Sequence, residues 1–189
     1  MTTSGEHAIP APAGARGAEP LALLVGWPGL VAAAAGVAAG LARFGASDEG
    51  LVCAWVLGSL GLLAWVDLRH ETIPNLLVLP AAAVALALQL ALFPDDAVEW
   101  LVAAGGCFLA LLAVALVRRG GIGVGDVKLG LLLGAGLGSE VVTAVLIGFL
   151  ALWPVAAWIV LRDGSGGRTQ TLPLTPALAL SAALVLLSG

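Results

Sequence analysis

Residues 100–138 read WLVAAGGCFLALLAVALVRRGGIGVGDVKLGLLLGAGLG. The uncharged run 100–117 is long enough to cross a hydrocarbon core about 30 Å thick as a helix. It ends at Arg118 and Arg119, passes glycines at 120, 121, 123 and 125, and meets Asp126 before a second apolar run begins. Such a break between two apolar runs predicts a chain that turns round at a membrane surface. The alternation of a barrel strand is absent, so helices are what remain to satisfy the backbone in lipid.

Working outward, the same pattern recurs. Apolar segments lie at roughly 21–44, 51–66, 76–93, 100–117, 127–138, 141–161 and 172–188. The chain of 189 residues is 60% hydrophobic and only 11% charged, with mean hydropathy +1.07. A soluble domain would carry about a quarter charged residues. The expected fold is therefore all-α: a polytopic membrane bundle of about seven transmembrane helices, filling 21–189 as one domain. Residues 1–20, rich in Pro, Gly and Ala, read as a flexible cytoplasmic tail and not as a signal peptide. Cys53 and Cys107 lie inside apolar runs without a CxxC or Cys/His cluster, so no metal or other cofactor is expected, and nothing in the chain suggests nucleic acid as a partner.

Charge placement orients the bundle. One set of loops and ends holds Arg16, Arg69, Arg118, Arg119, Lys128, Arg162 and Arg168; the other holds only Arg43 among basic residues, with Asp48, Glu49, Asp95, Asp96, Glu99 and Glu140. The positive-inside rule puts the first set in the cytoplasm. Most tryptophans fall near span ends, as interface anchors do.

On that cytoplasmic side two acidic residues stand where an apolar span meets the surface through an unusual sequence: Asp67 in WVDLRHETIPN (65–75) and Asp126 in GVGDVKLG (123–130). Both spans read as short, Leu51–Val66 at roughly 24 Å and Val127–Gly138 at roughly 18 Å. The expectation is that both carboxylates lie below the inner interface. A charge at such depth costs roughly 2.5–3.5 kcal/mol on insertion scales and needs water, a partner or a function to compensate. The glycines before Asp126 allow a tight, non-helical approach to a helix start. Their G-x-G-x-G spacing does not match a dinucleotide fingerprint or a P-loop. If the two Asp face each other they share a proton. The ionised partner then takes a proton from an attacking water, and the protonated one polarises a peptide carbonyl. Alternatively, each Asp caps a helix or pairs with Arg69 or Lys128. A transporter with a carboxylate relay is also compatible with buried acids.

Together these stretches resemble the type IV prepilin peptidases, GxGD-type membrane aspartic proteases. The D-x5-I-P-N match runs from Asp67 to Ile73, Pro74 and Asn75; the G-x-G-D-x-K-L match is Gly123, Gly125, Asp126, Lys128 and Leu129. A weaker match, P-x-x-P-x-L-A-L, comprises Pro173, Pro176, Leu178, Ala179 and Leu180. The resemblance covers roughly 51–188 and implies that Asp67 and Asp126 are the catalytic pair of an aspartic endopeptidase. It implies Gly123, Gly125, Lys128, Pro74, Asn75, Pro173 and Pro176 in supporting or substrate-binding roles. It further implies prepilin-like precursor proteins with short basic leaders as substrates, cut at the cytoplasmic face of a prokaryotic inner membrane. Longer members carry a cytoplasmic domain with paired CxxC motifs and also methylate the product. The loop 43–50 here is short and free of Cys, which fits a peptidase-only short form. A presenilin-like protease cutting inside spans is the alternative within the enzymes, and the I-P-N after Asp67 argues against it.

From the residues alone, Lys128 either tunes Asp126 or snorkels to the interface, and Pro74–Asn75 suits a helix start. Gly130, Gly134 and Gly138 form overlapping GxxxG steps, expected to seat the fifth helix and draw Asp126 toward Asp67.

Overall fold

The computed structural model describes residues 21–117, 123–163 and 174–188, and all statements on structure concern these. They form seven α-helices: α1 Leu21–Phe44, α2 Asp48–His70, α3 Asn75–Leu92, α4 Ala97–Val117, α5 Val124–Leu137, α6 Val141–Asp163 and α7 Leu174–Ser188. Single 3-10 turns, Pro94–Asp96 and Gly138–Glu140, join α3 to α4 and α5 to α6. The tail 1–20 lies outside the described residues, as do Arg118, Arg119, Gly120, Gly121 and Pro173.

Five stretches are long and apolar enough to cross a membrane, the last of them, Val124–Val155, taking in α5 and much of α6. α7 is apolar but shorter. The all-helical membrane bundle expected from hydropathy is what forms. α5, at 14 residues, rises only about 21 Å, in keeping with the short span read from the sequence. α2 departs from expectation. It does not stop at Val66 but continues through Asp67, Leu68, Arg69 and His70 to reach 23 residues, about 35 Å. A helical backbone satisfies itself whatever its side chains, and Arg69 and His70 at the C-terminal end complement the helix dipole. Asp67 therefore sits in the last turn of a full-length helix and not beyond a short one.

Local chemistry sets the ends. Ser47 caps α2, its hydroxyl accepting from the Gly50 amide at 3.1 Å, with Asp48 and Glu49 in the first turn. The helix ends at Glu71, a left-handed residue (φ 49°) whose N–H donates to the Asp67 carbonyl at 2.8 Å. Pro74 caps α3 with extended backbone, and Asn75 is the first helical residue. α1 breaks at Gly26 (φ 56°), ahead of Pro28.

α5 is the hub, touching α2, α3, α4, α6 and α7. Leu129, Leu132 and Leu133 are fully buried, as are Val56, Leu60 and Leu63 of α2 and Leu178 of α7. Small residues let the backbones close in. A Cβ on Gly134 would collide with the carbonyl of Ala103, and one on Gly130 would press on Cys107 and Leu111. The overlapping GxxxG steps thus seat α5 on α4, which corrects the expectation that they draw it toward Asp67. The approach to α2 is made by Gly136, where a Cβ would stand 2.7 Å from both methyls of Val56.

Gly134→Val should force α5 off α4 and cost about 1–3 kcal/mol, the usual range for overpacking. Gly105→Ala on α4, where a Cβ would meet nothing within 4 Å, should be nearly neutral. Unfolding midpoints in detergent check the pair, and equal midpoints would contradict the packing described.

Candidate active site

The chain ends of the helices sort into two faces. One gathers the C-termini of α2, α4 and α6 and the N-termini of α3, α5 and α7, so it brings the Asp67, Asn75, Asp126 and Thr175 stretches together. Arg69, Lys128 and Arg162 belong to this face, whereas Arg43 ends α1 at the opposite one.

Asp67 is 7% exposed, and its Oδ2 has no hydrogen-bond partner among the described residues. An unpartnered buried carboxylate oxygen is costly, because nothing replaces the water it has lost. Asp126 is half-buried in the first turn of α5. Its carboxylate is hydrogen-bonded by the Gly123 backbone, in the manner of the N3 residue of a capping box, and the Thr175 hydroxyl donates to Oδ1 at a long 3.4 Å. Asp67 is close enough for the two charges to repel each other.

The cations nearest in sequence engage other groups. The Arg69 guanidinium lies 5.0 Å from the centre of the Trp65 ring, and the Lys128 ammonium donates to Asn75 Oδ1. Lys128 therefore bridges the two halves of the site, an arrangement neither reading from the sequence contained. Gly125 does the same through the backbone. A Cβ there would stand 2.9 Å from that of Ile73, so only glycine lets the start of α5 seat against the 71–75 turn. Gly123 caps α5 with extended backbone (φ −69°, ψ 148°), the non-helical entry expected, while Gly125 is already helical.

Beside these residues lies a cavity of about 480 Å³, lined by Glu71, Pro74, Asn75, Gly123, Asp126 and Lys128 among others. Its size falls within the range of ligand clefts. Pro176 lies elsewhere, lining an apolar groove between α1, α2 and α7. Thr175, fully buried, escaped the sequence reading. The available signal was a hydroxyl beside Pro176 within an otherwise apolar run. Among the described residues no three His, Cys, Asp or Glu cluster as metal ligands would.

The sequence profile of the type IV leader peptidase family matches residues 51–162. The prepilin leader peptidase/N-methyltransferase of Bacillus subtilis (strain 168) is 33% identical over 165 residues, covering 85% of this chain and 64% of the relative. The chain thus spans somewhat less than two thirds of that relative's length. No solved structure matches.

The abutment of Ile73 and Gly125 predicts a disulfide. In a Cys53→Ala, Cys107→Ala background, Ile73→Cys paired with Gly125→Cys should cross-link on oxidation, because the two Cβ positions, 2.9 Å apart, need only separate by about 1 Å to reach the ~3.8 Å that a disulfide spans. A protease site inserted between residues 118 and 122 makes the cross-link visible on a non-reducing gel. Two fragments that separate without reductant would show that the motifs do not abut.

Proposed function

Since the chain belongs to the type IV leader peptidase family, we propose that it is an aspartic endopeptidase that removes the leader of prepilin-like precursors, with Asp67 and Asp126 as its catalytic pair. The observation that carries the pairing is a buried Asp67 oxygen without a partner, within electrostatic reach of a second carboxylate that lines a cavity.

The chemistry follows from two like charges in a poorly hydrated place. They cannot both ionise freely, so the pair holds one proton between them. Water hydrogen-bonded to the ionised carboxylate gives up a proton as its oxygen attacks the scissile carbonyl. The protonated partner donates to the carbonyl oxygen, yielding a neutral gem-diol. When the C–N bond breaks, a proton passes from the dyad to the departing amine and the second hydroxyl proton returns to the dyad. Each positioned proton transfer is worth roughly 10²–10⁴ in rate.

The other residues support this arrangement. Lys128, tied to Asn75, fixes the cavity wall beside Asp126. Thr175 limits the orientations open to that carboxylate. Gly123 leaves the space beside the Asp126 carboxylate free of a side chain, and Gly125 lets the start of α5 seat on Ile73. Pro74 keeps the turn from 71 to 74 out of the helices on either side. Pro176, next to Thr175, lies in the first turn of α7. The basic residues on this face orient it to the cytoplasm of a prokaryotic inner membrane, and the proposal is confined to peptidase activity, without methylation.

Asp67→Asn and Asp126→Asn should each lower leader removal at least about a hundredfold in cells co-expressing a prepilin precursor, while the protein still inserts. Asparagine preserves the volume of Asp67 and the capping acceptor of Asp126, so folding is not the cause. Lys128→Ala should cost less, about tenfold, because it disturbs the wall and not the dyad. Normal processing by either Asn variant would remove the pair from the account.

A further inference from the structure

The turn that leaves α2 carries a residue that local physics disfavours. Glu71 adopts the left-handed conformation (φ 49°, ψ 31°), and among the described residues it is the only non-glycine with a positive φ. Glycine or asparagine takes that position after a helix at little cost, whereas a longer side chain does not. Its charge is also the wrong one, since a helix C-terminus is the negative end of the dipole and favours a cation. Nothing nearby offsets this. Lys128 donates to Asn75 and Arg69 lies over Trp65, and the Glu71 carboxylate has no ionic partner among the described residues. Glu71 is exposed and lines the cavity beside Asp126 and Lys128.

A residue held against both its backbone preference and its charge, on the wall of a site, points to a role in that site. The charges of the cavity say which. Its described lining carries the carboxylates of Glu71 and Asp126 and the ammonium of Lys128, which is already engaged by Asn75. An anion entering beside Glu71 is repelled. A divalent cation finds two carboxylates where it needs six or more oxygens, with an ammonium alongside. A flexible organic cation, the side chain of a lysine or an arginine, meets the free carboxylate without either difficulty.

We propose that Glu71 is a specificity-determining residue, its carboxylate pairing with a lysine or arginine of the peptide that is cut. The inference rests on the peptidase reading and names a feature of its substrate. The Glu71 N–H donates to the Asp67 carbonyl at 2.8 Å, so Glu71 stands one helical turn, about 5.4 Å, beyond that acid. An extended peptide advances about 3.3 Å per residue, and both side chains of such a pair are long. The cation therefore lies about two or three residues from the scissile bond. Glu71 follows the last turn of α2, outside the span, so the residue it meets belongs to the part of the peptide that stays in water.

The test uses the full chain in detergent and three peptides spanning the cleavage site of a prepilin precursor, identical but for lysine, glutamine or glutamate three residues before the scissile bond. Fluorescence anisotropy reads affinity on versions with a hydroxyl-bearing isostere at the scissile amide, and the cleavable versions give kcat and KM. The wild type should bind the lysine peptide about fivefold more tightly than the glutamine peptide, as an exposed ion pair allows, with the difference in KM and not in kcat. Glu71→Gln should abolish that preference, and Glu71→Lys should turn it toward the glutamate peptide. Glu71→Gly should abolish it while raising the unfolding midpoint, because glycine relaxes the left-handed turn. A purely structural Glu71 would move the midpoint and leave the preference. Equal affinity of the wild type for the lysine and glutamine peptides would overturn the proposal even with cleavage intact, and so would a lysine preference that survives in the Gln and Lys variants. A Glu71-dependent preference among the isosteres, with no cleavable peptide cut, would support the pairing and remove the peptidase reading.

Discussion

A carboxylate taken out of water, with one oxygen unpartnered among the described residues, is the constraint around which this bundle is organised. Asp67 occupies the last turn of α2, almost wholly buried, with one oxygen unmatched. Burial of an ionised carboxylate is among the most expensive arrangements a protein can hold. α5 brings a second carboxylate, Asp126, close enough for the two charges to repel, and under the proposed function a single shared proton relieves that repulsion. The seat of α5 therefore matters more than the length of any span. That seat is made by small residues: Gly134 against α4, Gly136 against Val56, and Gly125 against Ile73. Gly136 and Gly125 hold α5 against the helix that carries Asp67 and the turn that follows it.

Much of this was legible in the sequence, and the reasons for the exceptions are physical. Hydropathy alone was enough for seven helices, because lipid leaves the backbone no other economical way to satisfy itself. The two Asp stretches were visible because charge among apolar runs is conspicuous. Helix ends were harder. α2 continues past Val66 because charged residues at a helix C-terminus are favourable, which an apolar count treats as an end. The partner surface of the GxxxG steps was also hidden: a spacing says that a helix face is small, not which neighbour fills it. Gly130 and Gly134 face α4, and Gly136, outside that pattern, meets α2. Thr175 gave almost no signal, since its value lies wholly in reaching Asp126 from another helix. The link from Lys128 to Asn75 belongs to the same class, for it joins residues far apart in the chain.

The two faces of the bundle solve different problems with buried polar groups. On the basic face the unpartnered group among the described residues is an acid, Asp67, with a second acid, Asp126, lining a cavity. On the acidic face the unpartnered groups among the described residues are neutral, Gln89 Oε1 and Trp100 Nε1. The short α5 links them, with Asp126 in its first turn and Gly136 and Leu137 lining a cavity of the opposite face at its end.

The most direct test of the central claim reads the pair without catalysis. A leader-spanning peptide with a hydroxyl-bearing isostere in place of the scissile amide mimics the tetrahedral intermediate, and such mimics bind at least about a hundredfold more tightly than substrate. Its hydroxyl must contact both carboxylates at once. The account predicts that Asp67→Ala and Asp126→Ala each weaken binding strongly and that the double variant is scarcely weaker than either single one. Losses that multiply in the double variant, or tight binding retained by one of the single variants, would show that the two acids do not act as one site.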